Sequence, residues 1–200
     1  MKFIAKTISI LFHPVLMPTW GYLALFNSGY YFSMLSWDIK RFVLIAVFFT
    51  TGLLPLLTIS VLALNPNFNF KMDHHTNRIK PLFFSAIYYY LGFYLLRGIT
   101  IYPVFRVFLI ASVIVIIVLM IISFKWKISN HMAGIGGVTG AILAVSFRMG
   151  MNPVIIIIST ILIAGLVGSS RLYLGKHNLL QAIAGYVIGL ITLYLAVYYV

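Results

Sequence analysis

Long apolar runs separated by short polar islands make up almost the whole chain. Runs near the ~20 residues needed to cross a hydrocarbon core fall at roughly 15–33, 42–64, 82–97, 104–123, 131–147, 153–169 and 179–199. They are continuous rather than alternating, which predicts helices and not barrel strands. Val and Ile are frequent in them. Backbone in lipid must nevertheless satisfy its own hydrogen bonds, and a helix does so within one segment. The third run is short, so it extends into its flanks or sits buried against neighbours. Residues 1–12 set Lys2 and Lys6 among Phe3, Ile4, Ile8, Ile10, Leu11 and Phe12, the pattern of an interfacial helix ahead of the first span. His13-Pro14 interrupts that run, and no small-residue cleavage site follows, which argues against a signal peptide.

Composition agrees with this pattern. Hydrophobic residues are 62% of the chain and charged residues 8%, against about a quarter charged in soluble domains. The predicted fold class is therefore all-α: a polytopic transmembrane helical bundle of about seven spans. It forms a single integral membrane domain over 1–200, with residues 1–40 as an N-terminal segment and extra span and 41–200 as the helical core. There is no internal repeat and no linker. Lack of cysteine excludes disulfides, thiolate catalysis and a Cys-based zinc site. Asp38 and Asp73 are the two acids, too few and too far apart for carboxylate metal sites or paired-carboxylate chemistry. No metal or cofactor is expected. The 14 Lys and Arg give a net charge of +12. They sit in short interhelical loops, which suits anionic lipid head groups and not nucleic acid.

Three islands concentrate the chemistry: Lys71 to Pro81, Lys125 to His131, and Ser170 to His177. Ionisable residues are costly at membrane depth, so such clusters are functional-site hypotheses. Two predicted spans separate each island from the next. An even number of crossings returns the chain to one side, so all three islands can meet in one pocket. Charge does not orient that side. Nine cations on it against five opposite become six against five once Lys71, Arg78 and Arg171 are set aside as ligand-binding groups.

Arg binds phosphate oxygens through paired charged hydrogen bonds and Lys binds them as a point charge, so Lys71, Arg78 and Arg171 suit a phosphate. Ser129, Ser170 and amides at helix N-termini can add donors. His131 and His177 stand at the starts of predicted spans. One can attack phosphorus while the other protonates the leaving oxygen, with the cations stabilising the transferring group.

These residues resemble the type 2 phosphatidic acid phosphatase superfamily, which includes lipid phosphate phosphatases and vanadium haloperoxidases. Its pattern is Lys-x6-Arg-Pro, Pro-Ser-Gly-His, then Ser-Arg-x5-His-x3-Asp. Here Lys71 precedes Arg78 by the same spacing, Ser129-Asn130-His131 stands at the second motif, and Ser170-Arg171 with His177 matches the third. The resemblance covers residues from about 65 to the C-terminus and implies a phosphatase-like core over 41–200. It implies that Lys71, Arg78 and Arg171 hold phosphate, helped by Ser129 and the amides beside it. His131 would be the general acid, and His177 the nucleophile that forms a phosphohistidine. The substrate would be a lipid phosphate or diphosphate in the bilayer, hydrolysed without a metal. The expected location is the inner (cytoplasmic) membrane of a bacterium.

The chain departs from the pattern at several points. Ile79-Lys80 separates Arg78 from Pro81, Ile128 replaces proline, and Asn130 replaces glycine. Gln181 stands where the family has the aspartate that orients the nucleophile. One turn beyond His177 it can touch the ring, but it brings no charge. Asp73 is a candidate substitute acid. Other readings therefore stay open: a phosphatase-like protein that binds or transports a phosphorylated lipid without hydrolysis, or a transferase.

The remaining polar and aromatic residues are read structurally. Lys176 is read as an interface anchor, His13 as structural, and Trp20, Trp37 and Trp126 as an interfacial belt. His74 and His75 are a weak zinc signal. The aromatic run from Tyr88 to Tyr94 packs helices or meets lipid. Gly134, Gly136, Gly137 and Gly140 either let helices approach closely or leave room for a lipid tail.

Overall fold

The structure, a computed structural model, describes residues 1–64, 78–98 and 103–199, except the side chains of Tyr30 and Tyr31. Among these residues seven helical segments are long and apolar enough to cross a membrane: Lys2–Phe26, Trp37–Leu62, Ile79–Gly98, Pro103–Ile122, Asn130–Met149, Val154–Tyr173 and Leu179–Tyr198. The polytopic helical bundle expected from the hydrophobic pattern is present. The third span reaches 20 residues by extending into both flanks. Its start includes Pro81, tolerated in the first turn because its N–H would have no helical partner there.

The first span differs from expectation. The span expected at 15–33 ends earlier, at Phe26, and together with the N-terminal helix it forms one 25-residue apolar stretch, Lys2–Phe26. Helix α1 (Lys2–Leu11) runs through a 3-10 turn (Pro14–Leu16) into α2 (Met17–Phe26), with the break at Phe12 and His13. Pro14 causes that break. It disfavours helical backbone in the residue before it, and His13 is extended at φ −66°, ψ 142°. The span ends at Phe26 because the bends at Ser28 and Gly29 precede a separate short helix, α3 (Tyr30–Ser33).

The second span is α4 (Trp37–Val47), a π-helical segment (Phe48–Leu53) and α5 (Leu54–Leu62). Pro55 lacks the N–H that would continue the helical ladder, and the wider turn before it absorbs the misfit. The hydroxyls of Thr50 and Thr51 donate to the carbonyls of Ala46 and Val47, at 2.7 and 2.9 Å. Helices α6 (Ile79–Leu95), α7 (Pro103–Ile122), α8 (Asn130–Met149), α9 (Val154–Tyr173) and α10 (Leu179–Tyr198) complete the bundle.

Helix α8 is the most buried span, and its tightest partner is α10. A Cβ on Gly136 or Gly140 would strike the α10 carbonyls of Tyr186 and Leu190, and one on Gly189 would strike the carbonyl of Ala133. Hence Gly136 and Gly140 serve backbone approach, which fixes α8, whose start carries Asn130 and His131, against α10, which begins just after His177. On its other side α8 meets α2 and α7, where Tyr22 packs on Phe105 and Phe108 and donates its hydroxyl to the carbonyl of Phe105.

Candidate functional site

The third island owes its spacing to the way α9 ends. Gly175 adopts φ 64°, a left-handed conformation that glycine enters at no steric cost. Its N–H bonds the carbonyl of Leu172 at 2.9 Å, and the N–H of Lys176 bonds that of Arg171 at 3.1 Å. These two bonds form a Schellman cap. The chain therefore folds back over the last turn of α9, which brings Lys176 and His177 to the cavity wall that Arg171 also lines. One residue later Asn178 caps α10 by accepting from the Gln181 N–H at 2.9 Å.

Gln181 closes that cap in return. Its Oε1 accepts from the Asn178 N–H at 3.2 Å and lies 3.2 Å from His177 Nδ1. The backbone N–H can only donate, so the amide atom facing it is the oxygen. His177 Nδ1 must then carry the proton, and its Nε2 holds the lone pair. Burial and the fields of Arg78 and Arg171, opposed by the Gln181 hydrogen bond, pull the His177 pKa from 6.5 down to about 3. At neutral pH His177 is therefore an uncharged imidazole with a defined tautomer.

The second island sits beside it. Ser129 caps α8, accepting from Met132 N–H at 3.4 Å, and its own N–H donates to the Gln181 carbonyl at 3.3 Å. From the first island, buried Arg78 donates to the carbonyl of Ile128 at 2.8 Å. The described parts of the three islands are thus clipped together on one face. His131 Nε2 lies 3.1 Å from the carbonyl of Ser9 in α1. A carbonyl only accepts, so Nε2 carries a proton and Nδ1 is the nitrogen left for proton exchange.

Arg78, His131, Arg171, Lys176 and His177 line one cavity of about 390 Å³. Lys176, expected only as an anchor, is part of its wall. Ser129 and Ser170 are fully or nearly buried and lie outside the lining. The Ser170 hydroxyl donates to the Ala5 carbonyl at 3.0 Å, so it accepts at 2.7 Å from Ser9, whose oxygen in turn faces Arg171 Nη1 at 3.4 Å. Ser170 thereby holds α1 against α9. Lys71, with Asp73, His74 and His75, lies outside the described residues.

The sequence reading did not place Ser9, His13 or Asn130 in this wall, yet all three line it. His13 meets His131 edge to face, with ring centroids 5.3 Å apart. Three buried wall atoms have no hydrogen-bond partner among the described residues: His13 Nδ1, Asn130 Oδ1 and Arg171 Nε. Buried polar atoms are rarely left so. A pocket with three cations and such atoms in its wall suits a compact anion with several acceptor oxygens.

Residues 122–200 match the model of the PAP2 superfamily, the family that the motifs resemble. The segment carries the second and third islands and helices α8 to α10. Arg78 and the whole N-terminal span lie outside the match. No curated protein and no solved structure matches the chain.

Proposed function

We propose that this integral membrane protein, whose residues 122–200 match the PAP2 superfamily model, removes phosphate from a lipid phosphate or diphosphate without a metal ion. The observation that carries the reading is the cavity itself. Arg78, Arg171 and Lys176 surround it together with two histidines of fixed donor pattern, and among the described residues no acid lines it.

In the proposed reaction the Nε2 lone pair of His177 attacks phosphorus as the bond to the lipid oxygen breaks. Protonated His131 gives its proton to that leaving oxygen. The new N–P bond puts positive charge on the His177 ring, and its Nδ1–H stays on the Gln181 oxygen. Water then attacks phosphorus and yields a proton to His131, and the N–P bond breaks, releasing phosphate and regenerating both histidines. Arg78 and Arg171 stabilise the charge on the transferring group throughout. Lys71 is a further candidate for holding it.

A second reading is favoured by Gln181: a protein that binds or moves a phosphorylated lipid without cleaving it. The glutamine orients His177 but offers no anion to stabilise the ring as it becomes positive. Phosphate release from a panel of lipid phosphates by detergent-purified protein separates the two. The phosphatase reading expects release that vanishes in His177→Ala and persists in chelator. Wild-type protein that binds these lipids and releases nothing supports the second reading.

A further inference from the structure

The N-terminal segment contributes a side chain to this cavity that no motif contains. We propose that His13 is a direct ligand of the bound phosphate group, so that the site has three histidines and its third lies outside the PAP2 segment. The inference rests on reading the cavity as a phosphate site.

Pro14 holds His13 in extended backbone at the junction of α1 with the following turn, and so lifts its ring out of the helical path. Ser9, one turn earlier, is bonded to Ser170 and faces Arg171, which locks the end of α1 beside the third island. The ring then stands edge-on to His131 at 5.3 Å, an approach that aromatic rings favour. It faces the same cavity as Arg78, Arg171 and His177.

A packing histidine would have its buried ring nitrogen satisfied by a neighbouring group. His13 Nδ1 is buried and has no partner among the described residues. Its neighbours in the wall are cations, so an anion is the guest that can use a donor there. Among the described residues no three histidine, cysteine or acidic side chains are placed to hold a metal ion, which leaves the anion as the chemistry of this corner. Arg171, Ser9 and His13 together make the N-terminal span part of the binding site.

Calorimetric binding of inorganic phosphate to the detergent-purified full chain tests this. His13→Phe keeps the ring contact with His131 and removes the donor. His13→Asn keeps a donor near the Nδ1 position. Arg171→Ala reports on the phosphate site as a whole. Loss of about tenfold in affinity for His13→Phe is expected, as for one hydrogen bond to a charged group, with His13→Asn within about threefold of wild type. Phosphate should also protect His13 of the wild-type protein from carbethoxylation by diethyl pyrocarbonate, a readout that needs no folded variant. If Arg171→Ala weakens binding while His13→Phe binds like wild type, or if His13 stays unprotected, His13 is not a ligand although the phosphate site stands. If wild type fails to bind, or Arg171→Ala binds as tightly as wild type, the phosphate reading falls and this inference with it.

Discussion

Two parts of the cavity lining present histidine by different devices. The wall of α8, α9 and α10 sets His131 and His177 at helix starts whose positions follow from backbone: a glycine seam, a Schellman cap and a capping box. The wall from α1 and its turn has no such frame. It is held by side chains, through the chain of bonds from Arg171 to Ser9, Ser170 and Ala5. Backbone devices impose a spacing in sequence and can be recognised as a motif. Side-chain clips between distant segments impose none.

The largest effect is expected where the backbone frame itself is broken. Gly189→Val places branched carbons against the carbonyl of Ala133 and the amide of Gly137, and backbone cannot yield as a side chain can. Loss of the monodisperse peak in detergent size-exclusion chromatography is the expected result. Gly165→Ala, in α9 with open space around it, should run like wild type or slightly more stably. Equal behaviour of the two variants would mean that the seam does not set the wall that holds His131 and His177.

Next in size is the cation shared by both walls. Arg171→Ala should lower kcat/KM for lipid phosphate by about 10²–10³-fold, the range for removing one preorganised donor to a developing charge. Ser9→Ala, which removes only the clip behind it, should cost less than tenfold, about one ordinary hydrogen bond. An Arg171→Ala effect no larger than that of Ser9→Ala would make the arginine a tether between α1 and α9.

The same contrast explains what could be read in the sequence. Hydropathy alone predicted seven crossings, because in lipid an apolar run of the right length has one structural outcome. The even count of crossings placed the islands on one face, and Arg78, His131, Arg171 and His177 do line one cavity. The first span was set too far along the chain because hydropathy does not register the bends at Ser28 and Gly29, and the docking of α1 on α9 through Ala5 and Ser9 leaves no local signal. His13 was passed over for the same reason: its partner His131 lies 118 positions away, and no spacing rule links them. Ser170 shows the converse. It stands inside a motif, yet its hydroxyl is spent on α1.

A smaller effect is expected at Gln181, where one atom separates orientation from charge. Gln181→Glu keeps the length that reaches both Asn178 N–H and His177 Nδ1, and glutamate at this helix position supports the same cap. Aspartate, one carbon shorter, would lose that reach. The added anion should favour the positive ring of the intermediate and raise kcat by about tenfold, the equivalent of one pKa unit. The acid limb of the kcat/KM profile governed by His177 should also move upward from about pH 3, since an adjacent anion favours the protonated ring. An unchanged rate and profile would mean that orientation alone is what position 181 provides.

The smallest effect is on stability, and its sign follows from the lowered His177 pKa. Folded, the ring protonates near 3, while its ordinary value is 6.5. Between those values the unfolded chain binds more protons at this position, so acidification favours unfolding. The contribution from keeping His177 neutral is nil above 6.5 and becomes an increasing penalty as the pH falls towards 3. Between pH 6.5 and 4.5 that penalty grows by about 2 kcal/mol, a drop of several degrees in apparent Tm for a chain of this size. In Gln181→Glu the folded pKa lies closer to the unfolded one, so the drop should shrink while the rest of the protein's acid response is unchanged. A Tm that falls equally in both proteins would remove His177 as the source. Burial and the cationic field from Arg78 and Arg171 would then be too weak at the ring to keep it neutral, and the distinction between the backbone-framed wall and the clipped wall would rest on geometry alone.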